Sequence, residues 1–68
     1  MNTKFLRLKS VIELTGLSRS TIYLMMSEGR FPNSISIGSR AIAWTDNEVK
    51  EWIEHKINKS KIGLGENQ

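Results

Sequence analysis

Apolar residues recur at helical spacing near the start of the chain. Leu8, Val11 and Ile12 follow the i, i+3, i+4 pattern, which predicts a short amphipathic helix over 8–15. Gly16 comes directly afterwards. Because glycine adopts the left-handed conformation without steric cost, we expect it to end this helix.

A second helix is predicted over 18–28. Ser18 is a favourable N-cap, since its hydroxyl can accept a backbone N–H of the first turn. Leu17 and Ile22 stand at the two positions of a hydrophobic staple around that cap, and Gly29 ends the helix. The face opposite Ile22 is mainly polar and carries Arg19, Ser20, Tyr23, Leu24 and Ser27.

The periodicity then changes from that of a helix to that of strands. Polar and apolar residues alternate on both sides of a Gly-Ser turn, which predicts a β-hairpin over 34–44. Thr45 and Glu48 have the spacing of a capping box, and they open a third helix over 46–58. The remainder, 59–68, contains two glycines and has no period. We expect it to be a flexible tail.

The predicted order of elements is helix, tight turn, helix, hairpin, helix. Only three residues join the first two helices, which is typical of a helix-turn-helix, and a hairpin after the second helix forms a wing. We therefore expect a mainly α fold with a small β-hairpin: a winged helix-turn-helix domain over 1–58. Upstream of the first helix, Phe5 and Leu6 are expected to be extended and to contribute to the core.

Composition narrows the functional classes. A chain of 68 residues supports one small domain with little room for a deep pocket, which argues against an enzyme. The absence of cysteine excludes disulfides and thiolate zinc sites. No long apolar stretch or signal-like segment is present, so we expect no membrane contact. A small secreted domain would usually need disulfides, so we expect a cytoplasmic protein. The single histidine, His55, has no second histidine beside it, and we expect no metal site, cofactor or small-molecule effector.

Charge is distributed unevenly along the chain. The net charge is +3, but residues 1–40 carry +4 and residues 41–68 carry −1. The first part also contains all four arginines, namely Arg7, Arg19, Arg30 and Arg40. A basic surface of this kind is typical of a protein that binds a polyanion. The alternative is a slightly basic surface with no such partner.

Several segments, taken in order, resemble the AlpA family of prophage regulators. They lie at 7–11, 16–23, 29–32, 37–44 and 48–53. The resemblance covers residues 5–57, and it departs from the family at Leu24, where relatives often have a basic residue. It implies a winged helix-turn-helix related to the DNA-binding domains of MerR-type regulators and to phage excisionases. It also implies a DNA-binding transcriptional regulator linked to mobile elements.

A recognition helix in the major groove reads bases with its N-terminal residues, while phosphate contacts set its position. Arg19 could pair with guanine or clamp a phosphate, and Tyr23 lies one turn further on. Arg40 stands at the tip of the wing, where arginine favours a narrow minor groove. The candidate DNA-contacting residues are Ser18, Arg19, Ser20, Thr21, Tyr23, Arg30, Ser39 and Arg40.

Structural roles remain open for some of these residues. Thr21 points partly inward, and Arg30 could serve only the C-terminal end of its helix. Leu24 could touch a thymine methyl group or pack on a neighbouring protomer. The interpretation we favour is an isolated exposed leucine, which is common on protein surfaces. Phosphate contacts could also come from Lys4, Arg7 and Lys9.

Sequence-specific binding of double-stranded DNA is the function this pattern favours, and the resemblance to the AlpA family implies a regulator of a prophage or other mobile element. Because the domain is small, useful affinity would need copies on adjacent sites. One alternative is an excisionase-type architectural factor, which strong DNA bending in circular-permutation gel shifts would reveal. Another is a small protein-interaction module using Leu24 and the last helix, whose binding would depend only weakly on salt.

Overall fold

A computed structural model describes the backbone of residues 3–67 and the side chains of residues 3–60. The elements, in chain order, are β1 (Phe5–Leu6), α1 (Leu8–Thr15), α2 (Arg19–Ser27), β2 (Ile35–Gly38), β3 (Ala41–Thr45) and α3 (Asp46–Asn67). The predicted mainly α fold with a small β-hairpin is confirmed, and the order of elements is that of a winged helix-turn-helix.

The turn between α1 and α2 is held by local contacts. Gly16 has a φ of 74°, and its N–H donates to the Ile12 carbonyl at 2.8 Å, as expected for the residue that ends α1. The Thr15 hydroxyl accepts the Leu17 N–H at 3.2 Å. The chain therefore reverses within three residues and brings the start of α2 beside α1.

The core joins all three helices to the sheet. Val11 of α1, Ile22 of α2, Trp44 of β3 and Val49 of α3 are fully buried. Removing such side chains from water is the main favourable contribution to folding in a domain of this size. The helices and the wing are therefore parts of one packed unit.

Two tryptophans fix the loop between α2 and β2. The Trp44 Nε1–H donates to the Pro32 carbonyl at 2.9 Å, and the Trp52 Nε1–H donates to the Arg30 carbonyl at 2.8 Å. Phe31 lies edge-on to both indoles, with centroids 6.4 and 4.9 Å away. The predicted core roles of both tryptophans are confirmed, Trp44 as a fully buried residue and Trp52 as a partly buried one.

The sheet has one strand more than the predicted hairpin. Its order is β1-β3-β2, and both pairings are antiparallel. Phe5 lies opposite Thr45 and Leu6 opposite Trp44. Successive side chains of a strand point to opposite faces, so Leu6 packs on the core while Phe5 is 58% exposed. The expectation that both residues feed the core was wrong for Phe5.

The start of α3 contains half of the predicted capping box. The Glu48 N–H donates to the Thr45 hydroxyl at 3.2 Å, but the Glu48 carboxylate accepts from that hydroxyl, at 3.0 Å, and not from a backbone N–H. The helix runs to Asn67, beyond the predicted end near residue 58. Most of the predicted tail, 59–68, lies outside the side chains described. The division into a domain over 1–58 and a flexible tail stays a prediction.

Candidate nucleic-acid interface

The first turn of α2 is organised by Ser18. Its Oγ accepts the Thr21 N–H at 3.2 Å and donates to Thr21 Oγ1 at 2.8 Å, which confirms the predicted cap. The Ser20 hydroxyl lies 3.5 Å from that of Ser18. No acidic residue occupies this turn, and Arg19 is its first residue. The positive end of the helix dipole and the Arg19 charge therefore lie together.

One face of α2 is buried and the other is open to solvent. Ile22 and Met25 pack into the core, so the positions between them are turned outward. The exposed residues of the helix are Arg19, Ser20, Tyr23, Leu24 and Ser27. Thr21 is half-buried, in agreement with its expected partly inward direction.

Three separate parts of the fold meet beside this exposed face in a concave surface, which we call the basic groove. Its residues come from the start of α1, the first turns of α2 and the wing, and they are Arg7, Leu8, Lys9, Arg19, Tyr23, Arg40 and Ile42. Four of the seven are cations and none is an acid. Among the side chains described, none of these four cations takes part in a salt bridge. The groove is therefore suited to bind an anion.

The wing places Arg40 at the edge of the basic groove. Ser39 and Arg40 form the exposed turn between β2 and β3. The register of β2 against β3 shifts between Ser36 and Gly38, just before that turn, and the Ser36 hydroxyl donates to the Gly38 carbonyl at 3.2 Å. Ile42 lies opposite Ser36 in the sheet and forms part of the groove floor.

Arg30 lies elsewhere. Its Nε and Nη2 donate to Glu28 Oε1 at 2.9 and 2.6 Å, and it lines a different depression that also contains Glu48, Glu51 and Trp52. The structure therefore brings Arg19, Tyr23 and Arg40 together but not Arg30. A DNA contact by Arg30 stays a prediction.

The N-terminal strand is attached through Asp46. The Asp46 N–H donates to the Lys4 carbonyl at 2.9 Å, and the Lys4 N–H donates to Asp46 Oδ1 at 3.0 Å. The hydrogen bond from Lys4 holds the pKa of the nearly buried Asp46 carboxyl below its usual value, and the Lys50 ammonium, 3.9 Å away, lowers this pKa further. This attachment fixes β1, and with it the position of Arg7 at the groove.

Sequence reasoning named Arg7 and Lys9 only as possible phosphate contacts, and it missed the apolar floor formed by Leu8 and Ile42. The charge excess of residues 1–40 was the available signal for the two cations. For Ile42 no local signal existed, because its place depends on the register of the hairpin. Within the backbone described, no helix is both long and apolar enough to cross a membrane.

Comparison of the sequence with known proteins identifies a family and two relatives. The family model described as prophage CP4-57 regulatory protein (AlpA) matches residues 4–57. The uncharacterized protein ORF88 of Enterobacteria phage P4 is 43% identical over 60 residues, or 88% of this chain and 68% of that protein. The DNA-binding transcriptional activator AlpA of Escherichia coli K12 is 30% identical over 59 residues, or 78% of this chain and 84% of the activator. The family match includes the whole basic groove.

Proposed function

Because the chain belongs to the AlpA family of prophage regulatory proteins, we propose that it binds specific sequences of double-stranded DNA and regulates transcription of a prophage or other mobile element. The family is a class of regulators and not of enzymes. In this proposal α2 enters the major groove, and the wing contacts the backbone or the minor groove. Such a regulator acts on DNA in the cytoplasm.

The basic groove is the observation that carries the proposal. Three distant parts of the sequence supply its cations, Arg7 with Lys9, Arg19, and Arg40, yet these line one surface beside the exposed face of α2. Concentrated positive charge next to a solvent-facing helix supplies both phosphate binding and a surface for base readout. The fold requires none of these cations for internal ion pairing among the side chains described.

Different residues take different roles on the DNA. Arg19, Ser20 and Tyr23 reach base edges from the start of α2, while Ser18 and Thr21 chiefly set the geometry of that turn. The flanking phosphates are bound by Arg7 and Lys9 on one side and by Ser39 and Arg40 on the other. Since this footprint is small, two or more copies occupy adjacent sites on the DNA.

The direct test compares Arg19→Ala with Arg30→Ala. Duplexes are first enriched from a random-sequence library with the wild-type chain, and affinities are then measured by fluorescence anisotropy. If Arg19 reads a base, its removal costs about 1–3 kcal/mol and relaxes sequence preference. Arg30→Ala removes an equal charge outside the groove, so on this proposal it should keep both affinity and preference. A loss of affinity in Arg30→Ala would instead support the DNA contact predicted for Arg30 from the sequence. Equal affinity of the wild type and Arg19→Ala would refute the assigned role of Arg19.

A further inference from the structure

An apolar side chain stands in the middle of the exposed face of α2. Leu24 is 55% exposed and lies one helical turn after Ser20, beside Tyr23. It does not belong to the core cluster, to which α2 contributes Ile22 and Met25. The core therefore does not explain a leucine at this position.

The backbone around Leu24 is well held. Its carbonyl accepts the Glu28 N–H at 3.1 Å and the Ser27 hydroxyl at 2.6 Å. The regular helix extends to Ser27. Leu24 is thus presented from a fixed helical turn, so it can meet a partner without first becoming ordered.

We propose that Leu24 reads thymine by contact with its 5-methyl group. This inference rests on the proposed function, in which the exposed face of α2 enters the major groove. When α2 enters the major groove of DNA, the Leu24 side chain is removed from water and must lie against the base edges at the floor of that major groove. Thymine alone offers an apolar group there, whereas the edges of the other bases present hydrogen-bond donors and acceptors that a leucine would leave unpaired. Leu24 is therefore a specificity-determining residue.

Removal of the methyl group from the DNA tests this contact without altering the protein. In an enriched duplex, each thymine is replaced in turn by deoxyuridine, which keeps base pairing and lacks only the methyl group. At the thymine under Leu24, the wild-type chain should lose about fourfold in affinity, the value for one buried methyl group. Leu24→Ala should bind the thymine and deoxyuridine forms equally well at that position.

Leu14→Ala is the matched control, because Leu14 is an exposed leucine at the end of α1 and lies outside the basic groove. It should keep the wild-type preference for thymine. Circular dichroism checks that both variants keep the helical fold, as expected for exposed positions.

Two results overturn the inference and leave the proposed function intact. The first is specific binding in which no thymine shows a deoxyuridine effect. The second is a deoxyuridine effect that persists in Leu24→Ala, which assigns the methyl contact to another residue. If the wild-type chain enriches no duplex at all, the proposed function fails, and the inference fails with it.

Discussion

The phosphate-binding cations of the basic groove make a quantitative prediction about how DNA affinity depends on salt. DNA binding releases condensed counterions, so the logarithm of the affinity falls by about 0.9 for each tenfold rise in salt per phosphate neutralised. Arg19 reads a base in the proposed function, so if Arg7, Lys9 and Arg40 each neutralise one phosphate, the slope is about −2.7 for each bound copy. The affinity then falls about 40-fold between 50 and 200 mM salt.

Arg40→Ala is the informative perturbation, because Arg40 lies in an exposed turn where its side chain has no described hydrogen bond or ion pair to lose. The slope should change to about −1.8, and the fall over the same salt range should shrink to about 12-fold. Fluorescence anisotropy with one enriched duplex, titrated at several salt concentrations, measures both values.

Two control variants separate charge from position. Arg40→Lys keeps the charge and should keep the slope. Arg30→Ala removes a charge held by Glu28 outside the groove and should also leave the slope unchanged. The reasoning fails if Arg40→Ala has the wild-type slope, or if Arg30→Ala reduces it equally. If the wild type binds no duplex at any salt concentration, the protein-interaction module considered from the sequence is favoured instead.

Three further predictions concern the fold that carries the groove. Ser18→Ala should lower the free energy of unfolding in urea by about 1 kcal/mol, because a first-turn N–H loses its acceptor, and Ser18→Asp should restore most of the loss. Trp44→Phe should cost about 2–4 kcal/mol in the same assay, since it leaves the Pro32 carbonyl unpaired and a void in the core. Trp52 is partly exposed, so Trp52→Phe should lower the free energy of unfolding by less than Trp44→Phe does. An equal or larger loss for Trp52→Phe would contradict the assignment of Trp44 to the centre of the core. Because the folded-state pKa of Asp46 lies below its unfolded value near 3.8, the stability it contributes is complete above that value. That contribution is lost as pH falls through the folded pKa, so the stability difference between the wild type and Asp46→Asn should shrink in an acid titration.

Local sequence patterns were sufficient to predict the helices, the end of α1 and the start of α2. Ser18 caps α2 and Gly16 ends α1 through contacts that span at most four residues, so their roles can be read from neighbouring positions. Helical periodicity also separates the buried Ile22 from the outward Arg19 and Tyr23. For the same reason, the exposed face of α2 could be predicted before the fold was known.

Local sequence patterns could not predict the pairing of β1 with β3. β1 has only two residues, and its partner β3 lies about forty positions later, so no periodic signal marks it. Its attachment depends on hydrogen bonds between Lys4 and Asp46, which form only when α3 packs in place. That pairing is also what brings Arg7 to the groove.

The sequence by itself determined which residues face outward on α2 and which half of the chain carries the positive charge. Only the tertiary structure decided which of those charges act together. Arg19 and Arg40 line the same groove because the hairpin folds back beside α2. Arg30 lies outside this groove, because its side chain binds Glu28 and its backbone carbonyl accepts a hydrogen bond from Trp52. The physical reason is that helix periodicity depends on near neighbours, whereas the meeting of distant cations depends on how a buried core orients whole elements.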